Sequence, residues 1–177
     1  LVSEMHTLEI HTSPHLHSGD STDVILRNVV LAALPAAAFA VYAHGLSALL
    51  LLSVATASCV LTEHLLCRLN HRASTVGDWS AAVTGILLGL TLPPGLPLWM
   101  AAAGGGIAIG LGKLLFGGLG FNSFNPALVG RAVLQGAFPV AMTTWNTPFA
   151  ADRFSSVPSS TMTWPFLQPE YDSVTGA

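Results

Sequence analysis

Glu63, Lys113 and Arg131 are the side chains best placed to do chemistry, because each stands within or at the rim of an otherwise apolar run. A charge at membrane depth costs a few kcal/mol, so such groups mark ion pathways or hold cofactor phosphates unless they simply reach water. Long side chains near the ends of apolar stretches lay their stems along hydrocarbon and put their charged heads at the surface. Glu63 and Lys113 are therefore expected to snorkel to the cytoplasmic surface, while for Arg131 a structural and a functional reading stand level. His6, His11, His15 and His17 follow no helical period and have no cysteine among them, so they read as a solvated tail rather than a metal tract. Cys59 and Cys67 fall eight residues apart, about 12 Å along a helix, which suits neither a disulfide nor a shared metal. Nothing in the chain has the pattern of a Ser/His/Asp constellation, a CxxC pair or a phosphate-cradling loop, so catalytic groups of those kinds would have to come from other subunits.

The elements that must position these residues follow from composition. Of 177 residues 51% are hydrophobic and 8% charged, against roughly 25% charged in a soluble domain. Charged residues are absent from 28 to 62 and again from 79 to 112. The chain therefore reads as all-α, a polytopic membrane helix bundle in contact with the lipid bilayer. A net charge of −3 with no run of Lys or Arg leaves no footprint for nucleic acid. The polar first 23 residues have no signal-peptide core, and a chain that begins with Leu and stops abruptly has the look of a fragment.

At about 20 residues per crossing, the spans fall at 24–43, 46–67, 78–92, 97–116 and 126–142, between an N-terminal tail, 1–23, and a closing segment, 143–177. Gly45 closes the first hairpin, and Pro35 is expected to kink the first span. Asp78 can cap the third span, which stops at Pro93-Pro94 and is short for a crossing. Asn125 is placed as the N-cap of the fifth, with Pro126 at its first helical position. Gly85-x-x-x-Gly89 and Gly106-x-x-x-Gly110 have the spacing that lets helix backbones approach closely. With five spans, Arg27, Arg68, Arg72, Lys113 and Arg131 lie towards one face and Arg153 towards the other. The positive-inside bias makes the first face cytoplasmic, with residues 143–177 extracytoplasmic and Trp99, Trp145 and Trp164 near that interface.

Non-helical backbone at membrane depth must be buried in protein or line a cavity, which makes interrupted helices the best sequence pointer to a site. Two such places occur: the truncated span from Asp78 to Pro93, and the Gly-rich approach to Asn125-Pro126-Ala127. That triplet also invites a channel reading, of aquaporin or urea-transporter type without a redox cofactor, in which a half-helix points its positive end at a pore.

Several motifs resemble one family. The run from Gly77-Asp78-Trp79-Ser80 through Leu90, followed by Pro93-Pro94, looks like the third-helix signature of the RnfD/NqrB family. Phe116-Gly117-Gly118-Leu119-Gly120-Phe121-Asn122-Ser123-Phe124-Asn125-Pro126-Ala127 resembles its second signature, and Ser13-Pro14-His15 its short motif before the first span. The resemblance implies a membrane subunit of an ion-translocating ferredoxin:NAD oxidoreductase of the Rnf type. Its partners would be the other subunits of the complex and a flavin transferase. Its fold would be half of a urea-transporter-like inverted repeat. It also implies FMN, bound covalently by a phosphoester to Thr, and leaves open a second, non-covalent flavin. Asp172-Ser173-Val174-Thr175-Gly176-Ala177 resembles the flavin-transfer motif Asp-Gly-x-Ser/Thr-Gly-Ala-Thr, with Ser173 in place of the usual Gly. Asp172, Thr175, Gly176 and Ala177 are then motif positions, and the acceptor Thr would follow Ala177. Asn125 and Arg131 are further candidates for cofactor binding.

Overall fold

The computed structural model describes residues 21–70, 76–118, 120–165 and 167. The tail histidines, Arg72 and the hexapeptide Asp172, Ser173, Val174, Thr175, Gly176 and Ala177 lie outside the described residues. Among the described residues the fold is all-helical, a membrane helix bundle.

Helix α1, Thr22–His44, and helix α2, Leu46–Leu69, are both long and apolar enough to cross a bilayer. At ~1.5 Å per residue each measures about 35 Å, a little more than a ~30 Å hydrocarbon core. They are joined at Gly45, whose φ of 70° suits a glycine and whose N–H donates to the Val41 carbonyl at 2.7 Å. The most apolar window of α1 has none of its residues buried; Leu31, Leu34 and Phe39 stay exposed, as a lipid-facing helix requires. Helix α1 runs without interruption through Pro35.

A short 3₁₀ turn, Val76–Asp78, leads into helix α3, Ser80–Thr91, and helix α4 follows over Leu98–Ile109. Helix α4 ends in a π-helical turn, Gly110–Leu114, so the expected span to Phe116 is not regular α-helix to its end. Helix α5 covers Pro126–Ala137, and helix α6 is a short piece, Pro139–Thr143. The single helix expected over 126–142 is thus broken at Phe138, whose φ of −134° leaves the helical region. A residue preceding a proline is pushed out of the α conformation, and Pro139 does this here.

Helix α2 lies at the centre, packed on α3 and α4, with α5 against α4 and α3 and with α1 outside against α3. Leu51, Leu88, Leu96, Met100 and Leu134 form the apolar core. Because lipid is as apolar as leucine, helix association here depends on close backbone approach at small residues. A Cβ on Gly85 would come within 2.4 Å of the Thr56 Cα, and one on Gly105 within 2.6 Å of the Ser58 Oγ. The Gly85–Gly89 pair therefore packs as its spacing predicts. The Gly106–Gly110 pair does not: a Cβ on Gly106 would find its nearest neighbour at 3.6 Å, and the tight contacts of α4 fall at Gly104 and Gly105 instead.

Candidate functional site

At the end of the bundle where α1, α3 and α5 begin, Lys113 and Glu63 form a buried ion pair. Lys113 donates from Nζ to the Glu63 Oε1 at 2.6 Å, and the side chains are 2% and 0% exposed. This overturns the expectation that both snorkel to the surface. Glu63 lies about two turns before the end of α2 and Lys113 on the π turn that ends α4, so each head turns inward to the other rather than out to water. Lys113 also donates to the Ser80 Oγ, and the Ser80 hydroxyl donates to the Asp78 Oδ1. Trp79, not Asp78 as expected, is the N-cap residue of α3; Asp78 stands one position earlier and accepts from the Ser80 N–H at 2.9 Å. Trp79 is held at φ 65°, a conformation that costs an L side chain of this bulk about 1–2 kcal/mol. Asp78, Ser80, Lys113 and Glu63 thus form one hydrogen-bonded chain, running from a half-buried carboxylate to one fully buried.

Helix α5 begins against this chain. Asn125 accepts from the Ala127 N–H at 2.9 Å and so caps the helix, with Pro126 at its first position. Gly112, beside Lys113, makes room for it: a Cβ there would lie 2.8 Å from the Pro126 Cα. A cavity of about 300 Å³ opens among Ser80, Thr84, Lys113, Asn122 and Asn125. The two interrupted elements singled out by the sequence, at Asp78 and at Asn125, therefore meet at one place. The approach to Asn125 is a surface loop where described, with Phe121 and Phe124 exposed.

Arg131 stands apart from that cavity. Its guanidinium donates to the Thr91 carbonyl, one of the last of α3. A cation there satisfies an orphan carbonyl and complements the helix dipole. The segment that follows, Leu92 to Pro97, is buried throughout. The third helix thus ends in buried non-helical backbone, as the interrupted-helix reading requires. Asn125 and Arg131, both considered for cofactor binding, are respectively a helix cap at the cavity rim and a clamp on the end of α3.

The opposite end of the bundle carries the α1–α2 turn and residues 144–165. Arg153 joins them: its carbonyl accepts from the Leu46 N–H at 2.9 Å and its Nε donates to the Tyr42 carbonyl at 2.9 Å. Its guanidinium lies 5.6 Å from the Tyr42 ring centre. The Phe149 N–H donates to the Ala43 carbonyl at 2.7 Å. On the exposed turn, the Ser156 hydroxyl, 2.6 Å from the Asp152 Oδ2, holds the Asp152 carboxyl below the usual range. Trp145 and Trp164 are exposed at this end, whereas Trp99 packs edge-on against Phe138 with ring centres 5.4 Å apart.

The model of the NQR2, RnfD, RnfE family matches residues 9–177. The chain is 44% identical over 137 residues to the D component of the Na⁺-translocating ferredoxin:NAD⁺ oxidoreductase complex of Acetobacterium woodii, covering 77% of this chain and 43% of that protein. It is 43% identical over 137 residues to the D component of the proton-translocating ferredoxin:NAD⁺ oxidoreductase complex of Clostridium ljungdahlii, covering 77% of this chain and 41% of that protein. Against the D component of the ion-translocating oxidoreductase complex of Halorhodospira halophila the identity is 43% over 142 residues, 79% of this chain and 40% of the relative. The chain spans about two fifths of the length of the curated relatives it matches.

Proposed function

Because the chain belongs to the NQR2, RnfD, RnfE family, we propose that it forms part of the membrane-embedded D component of an Rnf-type ion-translocating ferredoxin:NAD oxidoreductase. In this reading the protein passes electrons through FMN held covalently on the Thr after Ala177 and couples that transfer to movement of H⁺ or Na⁺. The observation that carries it is the identity of 43–44% to D components of such complexes over more than three quarters of the chain. The partners are then the other subunits of the complex and a flavin transferase.

The start of α1 is cytoplasmic and residues 143–177 are extracytoplasmic. Arg27 and Arg68, exposed at one end of the bundle, support that orientation. Leu167, the last described residue, hydrogen-bonds back to the Trp164 carbonyl at 3.3 Å. Five further residues reach about 17 Å at most, less than the ~30 Å hydrocarbon core. That reach supports Asp172 emerging on the same side as Leu167, with Arg153 anchoring the segment that carries the motif. Thr175, Gly176 and Ala177 would present the acceptor, and FMN esterified there would supply one- and two-electron transfer with its ring untouched by the linkage.

Moving one charge against 100 mV costs about 2.3 kcal/mol, so electron transfer must bias an element with two states. The meeting of the Asp78 and Asn125 interruptions at Lys113 supports placing that element there. The test is to produce the full-length protein with its transferase and denature it in detergent. Its band should fluoresce as flavin, and replacement of the acceptor Thr by Ala should abolish the signal. A parental band without flavin fluorescence would overturn the reading in favour of a cofactor-free channel.

A further inference from the structure

A buried ion pair seldom stabilises a fold relative to apolar residues of the same volume, since desolvating each charge costs several kcal/mol. Glu63 and Lys113 therefore call for an explanation other than stability. Three features of their surroundings supply one. The pair is the inner end of a continuous hydrogen-bonded chain whose outer end, Asp78, is half-buried at the rim of the bundle. Every member of that chain can both hold and release a proton. Lys113 sits on the π-helical turn Gly110–Leu114, a local geometry that is rare and concentrated at functional sites. The cavity of about 300 Å³ lies beside Lys113 and Ser80 and gives the ammonium group room to move; its walls are largely apolar, from Leu26, Val83 and Leu87, with Thr84, Asn122 and Asn125 supplying polar groups.

We propose that Asp78, Ser80, Lys113 and Glu63 form a proton relay that loads a proton from the rim of the bundle onto the buried Glu63 carboxylate. The relay rests on the reading of the chain as part of an ion-translocating complex. Each step conserves charge. Lys113 first gives the proton it directs at the Glu63 Oε1 to that carboxylate, leaving a neutral amine whose freed lone pair turns to Ser80. Asp78 then takes a proton from water and donates it to the Ser80 oxygen while the Ser80 hydroxyl, turned from Asp78 to Lys113, gives its proton to the amine, reversing the resting donor order from Lys113 through Ser80 to Asp78. Ser80 and Lys113 end as they began, Asp78 is again a carboxylate, and Glu63 is a neutral acid. Lys113, no longer held by an anion, is then free to swing into the cavity, and that displacement gives the site its second state.

The other titratable groups nearby do not interrupt this chain. Cys59, on the same face of α2, directs its thiol to the Gly105 carbonyl at 3.7 Å. His64 on α2 and Arg27 on α1 are exposed, and Arg131 on α5 is engaged with Thr91. A transported metal cation fits this arrangement less well, because the Lys113 ammonium occupies the place beside Glu63 that such a cation would need.

The experiment uses the full complex in proteoliposomes, measuring protons taken up per electron transferred with a pH-sensitive dye. Ser80→Ala breaks the relay but leaves the Glu63–Lys113 pair in place. It should lower protons per electron at least tenfold, with flavin fluorescence of the protein retained, and Ser80→Thr, which restores the hydroxyl, should recover most of the loss. Glu63→Gln combined with Lys113→Met should show the same uncoupling. Protons per electron within twofold of parental in Ser80→Ala would overturn the relay. So would uptake that requires Na⁺ and is stimulated rather than collapsed by a protonophore. Absence of flavin and of electron transfer in the parental complex would instead strike the functional reading on which the relay rests.

Discussion

Lys113 and Glu63 are fifty positions apart in the chain, and each on its own has the signature of a residue reaching for the membrane surface. What joins them is depth. Glu63 lies inside the end of α2 and Lys113 inside the end of α4, at the same end of the bundle, and the two heads are 2.6 Å apart. Counting each residue back from the polar edge of its span would have set them at similar depth, but pairing needed the helix neighbours, which no local pattern supplies. The pair makes a sharp stability prediction. Glu63→Gln or Lys113→Met alone leaves one buried charge uncompensated and should cost about 3–5 kcal/mol, while the double change should recover most of that. Thermal unfolding of the purified protein in detergent reads the difference; a double variant no more stable than either single one would contradict the pairing. Arg131 was evenly balanced from sequence and proves to clamp the end of α3. Arg131→Ala should destabilise by about 1–3 kcal/mol through the stranded Thr91 carbonyl, read in the same melts, and a change below half of that would remove the clamp from the account.

Among the elements, proline and asparagine punctuation was legible. Pro93-Pro94 follows directly on the end of α3 as expected, and Asn125-Pro126 opens α5 with the cap that its residues specify. Pro139 carried an equally clear signal to stop α5 at Phe138, and the run of apolar residues around it concealed the break. The π turn at Gly110–Leu114 had no local sequence signal; Gly112 within it packs closely on Pro126, a contact that local sequence does not reveal. Glycine spacing was a partial guide: the motif marked Gly85 correctly but pointed to Gly106 when the close contacts are at Gly104 and Gly105. Gly85→Ala should therefore destabilise by about 1–3 kcal/mol, because the Thr56 backbone must give way. Gly106→Ala meets no close neighbour and should be neutral or stabilise by up to about 1 kcal/mol through helix propensity. Equal unfolding midpoints for the two variants would show that α2 and α3 are not packed at Gly85.

For the whole molecule, the bundle has two chemically different ends. One holds the relay from Asp78 to Glu63, and the other holds residues 144–165 tied down by Arg153. Fewer cations orient the chain than its sequence suggests, since Lys113 and Arg131 are engaged inside the bundle and, of the described residues, Arg27 and Arg68 stand exposed at the first end. The Arg153 end has its own pH dependence. The Ser156 hydroxyl lowers the Asp152 carboxyl from its ordinary value, so this contact contributes at neutral pH and is lost as pH falls through the depressed value. Ser156→Ala should move the Asp152 titration up towards the ordinary carboxylate range, as followed by carboxyl NMR; an unmoved midpoint would remove the contact from the account. The claim on which the functional reading turns is that these two ends face opposite compartments. Ser155→Cys and Ser123→Cys, each in a Cys59→Ala, Cys67→Ala background and expressed in intact bacteria, test it with a membrane-impermeant maleimide. The account predicts labelling at 155 without permeabilisation and at 123 only after it; the reverse pattern would place the flavin-motif end in the cytoplasm and contradict it.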